Sequence, residues 1–250
     1  MNLRQDIANN FSRHVADYNP AASLQATVAA KLAARLPPDL PPGPLLEVGC
    51  GTGLFSRHLV QAYPNRELHL TDLSPAMVAA TQAQFGSQPG VVCYQLDGEE
   101  VAPTPRFSGI FSSFTLQWFL QCQASLVNLC AALLPGGALV LALQGAGSYP
   151  EWRRACAELG LPCTANPLPA LADLVSWCGA LAPETERVGV TQTFAQARDF
   201  FHQLKGLGAG TALQPHHLRA GEFRRLLQRL DQKQPLEMTT EVVYFWVRKP

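Results

Sequence analysis

The sequence predicts an α/β protein with a doubly wound, parallel sheet, and three observations support that prediction. Between positions 45 and 143, short apolar runs alternate with segments of helical periodicity. A glycine-rich stretch, Gly49-Cys50-Gly51-Thr52-Gly53, follows the first apolar run, and acidic residues, Asp72 and Asp97, follow the second and third. The carboxyl ends of parallel strands meet at one edge of a sheet, where such folds bind their ligands. We therefore expect a ligand site built from these residues.

The boundaries of the core elements follow from apolar periodicity and turn residues. Ser74-Pro75 is the clearest helix start, since serine caps a helix and proline is accommodated at the first helical position. Pro135-Gly136-Gly137 predicts a turn before the fifth strand. In chain order we expect strand 45–48, helix 54–63, strand 67–71, helix 75–84, strand 91–95, strand 107–113, helix 124–134 and strand 138–143.

The segments on either side of this core have weaker patterns. Before it we expect a helix over 3–14, a break near Asn19-Pro20 and a second helix after Ser23, followed by a proline-rich connector. After it we expect a helix over 149–159, a proline-interrupted stretch to 182, a strand near 187–194, a helical insert over 195–235 and a last strand over 241–248. We expect one domain, 1–250, with its ligand-binding core over 45–145.

Composition excludes several classes of protein. Hydrophobic residues make up 47% of the chain and charged residues 15%, which favours a large buried core over disorder. The formal net charge is zero, so we expect no nucleic-acid partner. The seven cysteines are odd in number and form no C-x-x-C pair, which is typical of a reducing compartment. Without a signal-peptide pattern or a run of ~20 apolar residues, we expect a cytoplasmic protein that does not enter a membrane.

The glycine-rich turn has the spacing G-x-G-x-G. A dinucleotide site would have G-x-G-x-x-G, but Leu54 stands where its third glycine would be. The turn resembles motif I of the class I methyltransferases that use S-adenosylmethionine (SAM). Another nucleotide-like ligand and a purely structural tight turn remain alternatives.

The methyltransferase interpretation gives each neighbouring residue a role. Asp72 would accept hydrogen bonds from the ribose hydroxyls, although it could also cap the following helix. Asp97 would accept from the adenine amine, with Gly98 allowing the base to approach, although Asp97 could be a turn aspartate. Glu47 would organise the loop or contact the ammonium group of SAM. Apolar walls for adenine would come from Leu73 and Met77, although Met77 could equally be helix core.

The chain also contains Leu116-Gln117-Trp118 after the fourth predicted strand and Leu204-Lys205-Gly206-Leu207-Gly208-Ala209 within the insert. With these and other separated motifs, it resembles the malonyl-[acyl-carrier protein] O-methyltransferases of biotin synthesis. The motifs run nearly end to end, and the Gln-Trp and Leu-Lys-Gly-x-Gly-Ala pieces are the most specific. The chain departs from many relatives in having Leu46-Glu47-Val48 where they have Leu-Asp-Leu, and in a divergent segment over 148–182. The matching pieces are Phe11-(x6)-Tyr18-(x6)-Gln25, Gly49–Gly53, Asp72-Leu73-Ser74-Pro75-Ala76-Met77, Leu116-Gln117-Trp118, Leu204-Lys205-Gly206-Leu207-Gly208-Ala209 and Leu236…Thr239…Glu241…Tyr244.

The resemblance implies a fold, a cofactor and a reaction. The fold would be a Rossmann-like, seven-stranded methyltransferase sheet with an N-terminal helical lid over 1–40 and a helical insert before the last strand. SAM would methylate the free carboxylate of a malonyl thioester, carried on acyl carrier protein or possibly coenzyme A, and S-adenosylhomocysteine (SAH) would be released. That carboxylate is ionised at pH 7, so the reaction needs no general base and no protein nucleophile.

The resemblance also suggests which residues position cofactor and substrate. Tyr18 and Gln25 would close over both from the lid, although Tyr18 could be a hydrophobic staple. Gln117 would donate to a substrate oxygen and Trp118 would form an apolar wall, although Trp118 could be core. Lys205 would hold the thioester or the carboxylate, although it could be a solvated lysine. Alternative cations are Arg13 and Arg57.

The insert over 195–235 has seven basic and three acidic residues, whereas the whole chain is neutral. Acyl carrier proteins are acidic, so the insert's arginines could form a docking face, although a merely solvated helix face remains the alternative. His216-His217 has no third metal ligand nearby in sequence, so we predict no metal site. A methyltransferase of a free small acid or phenol, or a non-catalytic SAM-binding module, remains the functional alternative. The docking residues would be Arg219, Arg224, Arg225 and Arg229.

Overall fold

The computed structural model describes residues 2–214 and 217–250 as helices on both sides of one seven-stranded sheet. The α-helices described are α1 (Leu3–Arg13), α2 (Val15–Ala21), α3 (Ser23–Ala33), α4 (Ser56–Ala62), α5 (Pro75–Phe85), α6 (Cys122–Ala131), α7 (Pro150–Glu158), α8 (Leu171–Trp177), α9 (Ala197–Gly206) and α10 (Ala220–Leu230). The strands are β1 (Leu45–Val48), β2 (Leu68–Asp72), β3 (Val91–Gln95), β4 (Phe107–Ser113), β5 (Leu133–Gln144), β6 (Glu184–Phe194) and β7 (Leu236–Arg248).

The strand order β3-β2-β1-β4-β5-β7-β6 confirms the Rossmann-like, doubly wound fold. Strands β1 to β5 pair in parallel as predicted, whereas β7 runs antiparallel to both of its neighbours, β5 and β6, which the sequence did not indicate. Since β6 and β5 are both antiparallel to β7, β6 runs in the same direction as β5. The insert between β6 and β7 therefore begins at the edge where β1 to β5 end, which is the predicted ligand edge.

Several predicted boundaries are wrong for identifiable reasons. Instead of breaking at Asn19-Pro20, the chain leaves α1 at His14 and continues as α2 to Ala21, with Pro20 in its last turn. α6 ends at Ala131, and Pro135-Gly136-Gly137 lies inside β5, where the pairing register with β4 shifts. The last strand begins at Leu236 rather than 241, because residues 236–246 of β7 pair with the whole of β6.

Three clusters of buried side chains stabilise this arrangement. The first lies between the sheet and α3 and α4, and the second lies on the opposite face, against α6 and α8. The third is formed by α7, α9 and α10, which pack on one another through aromatic residues such as Trp152, Phe200 and Phe201. Val28, Ala29 and Leu32 of α3 are fully buried in the first cluster, so α1, α2 and the first turn of α3 are the parts of the N-terminal segment that lie at the ligand edge. Among the described residues, no helix has both the length and the apolar character to cross a bilayer.

Candidate functional site

Three adjoining cavities lie at the carboxyl ends of β1 to β5. The first, the glycine-loop cavity, is bounded by Gly49, Gly51 and Asp72. The second, the chamber, has a volume of about 330 Å³ and lies between the sheet edge, α7 and the insert. The third, the passage, is lined by Tyr18, Gln25 and Gln117 and lies between them, since it shares wall residues with both. Trp118 lines all three cavities, so the place where their walls meet is called the junction.

The glycine loop brings its backbone to the cavity wall. Gly49 and Gly51 have φ of 76° and 54°, which favours glycine, and a Cβ on Gly51 would meet no atom within 4 Å. Their N–H groups are already used, by the Thr71 carbonyl and by Asp72, so the loop offers close approach rather than free donors. Gly53 does not line this cavity. A Cβ there would lie 2.6 Å from Phe85, so Gly53 allows the loop to pack on α5.

Asp72 ends β2 with its carboxylate turned back onto the loop. Its Oδ2 accepts from the Gly51 N–H at 2.9 Å and its Oδ1 accepts from the Ser74 N–H at 2.8 Å. Burial raises the pKa of Asp72 to about 6, although these backbone donors act in the opposite direction. Each oxygen retains a second lone pair. The ribose role and the turn role are therefore compatible.

Asp97 follows β3 on the same cavity wall. Its Oδ1 accepts from the Glu99 N–H at 2.9 Å, and its Oδ2 lies 3.3 Å from Arg4 Nε of α1. Arg4 also donates to Glu99 at 2.7 Å, a contact that no sequence motif indicated. Gly98 lines the cavity as well, and a Cβ on it would lie 2.7 Å from Phe119.

Leu73 and Met77 complete the apolar side of the glycine-loop cavity. Met77 is also 1% exposed, so it belongs both to the helix core and to the cavity wall.

Glu47 is 1% exposed, and its Oε2 accepts from the Ser56 hydroxyl at 2.6 Å. Burial raises the pKa of Glu47 to about 8. Since Glu47 lies under the loop and outside the cavity lining, its position favours the loop-organising interpretation.

Helices α1 and α2 close over these cavities. The Ser12 and Ser74 hydroxyls lie 2.8 Å apart, and the Thr52 hydroxyl donates to the Asn19 side chain at 2.6 Å. Phe11 packs edge-on against Trp118, with ring centroids 5.3 Å apart. The lid therefore contacts the glycine loop, the start of α5 and the junction of the cavities.

Two of the predicted lid residues face the cavities. Tyr18 lines both the glycine-loop cavity and the passage, and burial raises the pKa of its hydroxyl. Gln25 lines the passage, and its Oε1 is buried without a hydrogen-bond partner among the described residues. Their positions fit the predicted contacts with cofactor and substrate.

Gln117 and Lys205 both line the chamber. Gln117 Nε2 donates to the Phe114 carbonyl at 2.8 Å, which leaves Oε1 buried and unpaired within the described part of the chain. Lys205 is exposed and forms no ion pair with any described residue. Arg13 and Arg57 are exposed too, but neither lines the cavities described above. The geometry therefore favours Lys205 as the cation of the chamber.

Sequence reasoning missed several residues of the chamber. Tyr149 and Gln144 form its inner wall, where Gln144 Nε2 donates to the Tyr149 hydroxyl at 2.7 Å. Asn166 and Thr211 also line the chamber. Two strained residues, Phe114 and Tyr149, have φ of 57° and 58° directly after β4 and near the end of β5. Such conformations cluster at functional sites, but residue type does not reveal them.

The four arginines of the insert differ in their surroundings. Arg219, Arg224 and Arg225 are exposed, whereas Arg229 forms an ion pair with Glu158 of α7. Phe223, next to Arg224, lines the chamber, so this basic surface adjoins the chamber's outer rim. No group of three or more metal-ligating side chains occurs within residues 2–214 and 217–250. His217 lies on the chamber rim, and His216 lies outside the described residues.

The glycine-loop cavity offers chemical groups that suit the parts of SAM. Vicinal ribose hydroxyls and the adenine amine need hydrogen-bond acceptors, and the carboxylates of Asp72 and Asp97 on the cavity wall are acceptors of this kind. A glycine backbone without a Cβ admits the amino-acid half, and apolar side chains flank the adenine position. These features were predicted separately from the sequence, and the fold places them around one cavity.

Comparisons with known proteins agree with this geometry. A family model described as "Methyltransferase domain" matches residues 46–139. A malonyl-[acyl-carrier protein] O-methyltransferase of Magnetococcus marinus is 32% identical, over 89% of this chain and 84% of the relative. One from Halorhodospira halophila is 31% identical, over 96% of this chain and 86% of the relative.

Similar solved structures show the fold. The YcgJ protein of Bacillus subtilis has a TM-score of 0.59 and 16% identity, over 93% of this chain and 99% of its own. Phosphoethanolamine N-methyltransferase 2 of Haemonchus contortus, solved with SAM, has a TM-score of 0.62 and 15% identity, over 96% of this chain and 57% of its own.

Proposed function

Since this chain belongs to the malonyl-[acyl-carrier protein] O-methyltransferase family, we propose that it methylates the free carboxylate of a malonyl thioester carried on acyl carrier protein. The reaction is an early step of biotin synthesis, and SAM is the methyl donor. One observation carries the proposal: Trp118 lines both the glycine-loop cavity and the chamber. A donor bound in the first and an acceptor bound in the second would both lie next to this side chain. All seven cysteines are free thiols, which fits a reducing cytoplasm.

SAM, when bound, supplies a methyl group activated by its positively charged sulfur. The residues that would hold it are Asp72 at the ribose, Asp97 at the adenine amine, and Leu73 and Met77 at the adenine faces. Tyr18 would close the cavity from the lid side.

The chain's contribution to the reaction is placement and exclusion of water. A malonyl carboxylate is already ionised at pH 7, so no residue has to remove a proton from it. Trp118 and Phe11 shield the junction of the cavities, and removing water there strengthens attraction between opposite charges. Correct placement of two reactants is worth roughly 7–11 kcal/mol of the barrier.

The proposal is tested by supplying labelled SAM with malonyl-acyl carrier protein, malonyl-coenzyme A and free malonate in parallel. We expect methyl ester on the carrier-bound malonyl group, with a lower kcat/KM for malonyl-coenzyme A. Absence of ester on the carrier would overturn the proposal. Methylation of free malonate as efficient as that of the carrier would instead support a small-acid methyltransferase.

We expect Lys205→Met to raise the KM for malonyl-acyl carrier protein and malonyl-coenzyme A alike, by about tenfold. Lys205 Nζ would donate a charge-assisted hydrogen bond to the malonyl group, which both substrates share. The measurement is steady-state methyl transfer with each substrate. Arg13→Met, which removes an exposed cation outside the described cavities, is the matched control. Equal KM values for Lys205→Met and the unmodified enzyme would contradict this role.

The exposed arginines give a different expectation. Reversing two charges, with Arg224→Glu and Arg225→Glu, should raise the KM for the carrier substrate about tenfold at low salt and leave that for malonyl-coenzyme A within twofold. Acidic carrier proteins are attracted by this surface, and that attraction weakens as salt rises. Arg229 is left intact because its ion pair with Glu158 already neutralises it.

A matched double reversal separates docking from net charge. Arg57→Glu with Arg106→Glu changes the charge equally, but both residues lie outside the insert, are exposed and form no ion pair with a described residue. If both double variants lose the carrier substrate to the same extent, the docking face is not on α10.

A further inference from the structure

Three segments that are distant in sequence meet at Thr211, in the loop after α9. Asn10 of the lid donates from Nδ2 to the Thr211 hydroxyl at 2.5 Å. Asn166, between α7 and α8, donates from Nδ2 to the Thr211 carbonyl at 2.9 Å, and its Oδ1 accepts from the Leu213 N–H at 2.8 Å. Thr211 itself is 7% exposed. The side chain of Asn166 thus links its own loop to the loop around Thr211, and Asn10 links the lid to the loop around Thr211.

Each of these segments also forms part of a cavity wall. α1 contributes Arg4, Ile7 and Phe11 to the glycine-loop cavity. The loop around Asn166 and the loop around Thr211 line the chamber. The hydrogen bonds at Thr211 therefore connect the cover of one cavity to the wall of the other.

Backbone packing reinforces the same connection. At Gly208, which has a φ of 68°, a Cβ would lie 3.0 Å from Phe11 Cα and 3.1 Å from the Asn10 carbonyl. Gln203 of α9 donates to the Ala21 carbonyl at the end of α2, at 2.8 Å. The insert therefore packs directly on both lid helices. Displacement of the lid from the glycine-loop cavity would break these contacts and remove the lid's support from the loop around Thr211.

We propose that Asn10 and Thr211 are positioning residues that couple lid closure over SAM to the shape of the malonyl chamber. Closure of the lid holds the loop around Thr211 in place, and that loop in turn positions Asn166 on the wall of the chamber. A bound cofactor thereby raises the affinity for the malonyl thioester. By linkage, the bound thioester raises the affinity for the cofactor by the same factor. This proposal rests on the proposed function, since it concerns the same two ligands.

The coupling is measured with SAH, which occupies the cofactor site without reacting. The Kd of malonyl-acyl carrier protein is determined by fluorescence anisotropy with and without saturating SAH, and the ratio of the two values is the coupling factor. For the unmodified enzyme we expect a factor of about ten, within the usual range for coupled sites. Thr211→Val keeps the shape and the carbonyl but removes the hydroxyl, and it should reduce the factor to about two.

Two further variants separate coupling from general damage. Thr211→Ser retains a hydroxyl and should restore most of the factor. Thr191→Val removes the hydroxyl of an exposed threonine that faces Thr239 in the sheet, and it should leave the factor unchanged. Asn10→Ala removes the other half of the hydrogen bond, and combined with Thr211→Val it should add no further loss. If Thr211→Val does not fold, as judged by thermal unfolding, Asn10→Ala decides the question alone.

The outcomes distinguish this proposal from the proposed function. A factor near one in the unmodified enzyme, together with normal methyl transfer to the carrier, overturns the coupling and leaves the proposed function standing. A factor that stays near ten in both Thr211→Val and Asn10→Ala also overturns it. Failure of the unmodified enzyme to bind or methylate malonyl-acyl carrier protein overturns the proposed function instead.

Discussion

Asp72→Asn is expected to weaken SAH binding by about 100-fold. Asparagine keeps one acceptor oxygen but loses one charge-assisted hydrogen bond to a ribose hydroxyl, worth roughly 1.5–3 kcal/mol, and a 100-fold loss corresponds to about 2.7 kcal/mol. Asparagine also disturbs the loop, because both carboxylate oxygens of Asp72 accept backbone N–H groups, from Gly51 and Ser74. The amide NH2 would have to face one of those donors. Isothermal calorimetry with SAH measures the effect, and thermal unfolding of the variant without ligand verifies that it folds.

Asp97→Asn is the matched comparison for this loss. Its Oδ1 accepts from the Glu99 N–H, and the amide oxygen of asparagine can keep that bond. Only the oxygen near Arg4 is replaced, so SAH affinity should fall by about tenfold. If Asp72→Asn binds SAH as well as Asp97→Asn does, Asp72 does not hold the ribose.

The strand-tip residues were predictable because each carries a local signal. Gly49, Asp72 and Asp97 directly follow short apolar runs, and the parallel arrangement of β1, β2 and β3 places all three on one cavity. Gly53 and Glu47 belong to the same motif but contact other partners. Their surroundings, Phe85 and Ser56, depend on how helices α5 and α4 pack on the loop, which the motif does not determine.

The chamber could be predicted only in part. Gln117, Trp118 and Lys205 belong to motifs, whereas Tyr149 and Asn166 lie in the divergent segment over 148–182 and carry no pattern. The walls of the chamber depend on contacts between residues that are distant in sequence, and hydrophobic periodicity does not predict such contacts.

The prediction of strand direction and of charge pairing was limited in the same way. An alternating pattern does not tell a parallel strand from an antiparallel one at the end of a sheet, so the reversal of β7 was missed. The charge content of the insert marked Arg229 as a docking residue, but it could not show that Glu158 neutralises this arginine.

The free energy of unfolding of the ligand-free enzyme should fall as the pH rises from about 5 to about 8. Burial raises the pKa of Glu47 to about 8, whereas in the unfolded chain it returns to its usual value near 4.5. Between these values the folded state binds a proton that the unfolded state has released, so stability is greatest at low pH and is lost as the pH approaches 8. The slope is up to ~1.4 kcal/mol per pH unit, or about 4 °C in Tm. Asp72, with a pKa raised to about 6, adds to the lower part of this window.

Glu47→Gln isolates the contribution of that carboxyl group. Its amide oxygen can still accept from the Ser56 hydroxyl, but glutamine has no proton to lose, so Tm should change much less between pH 6 and 8. Parallel Tm curves for the two proteins would contradict a raised pKa at Glu47.

The Glu47→Gln variant also separates the two roles considered for this residue. If Glu47 organises the loop from below, the variant should bind SAH within about threefold of the unmodified enzyme, because the hydrogen bond that shapes the loop is kept. If Glu47 contacts the ammonium group, the variant loses a charge-assisted bond, and its SAH affinity should fall by tenfold or more.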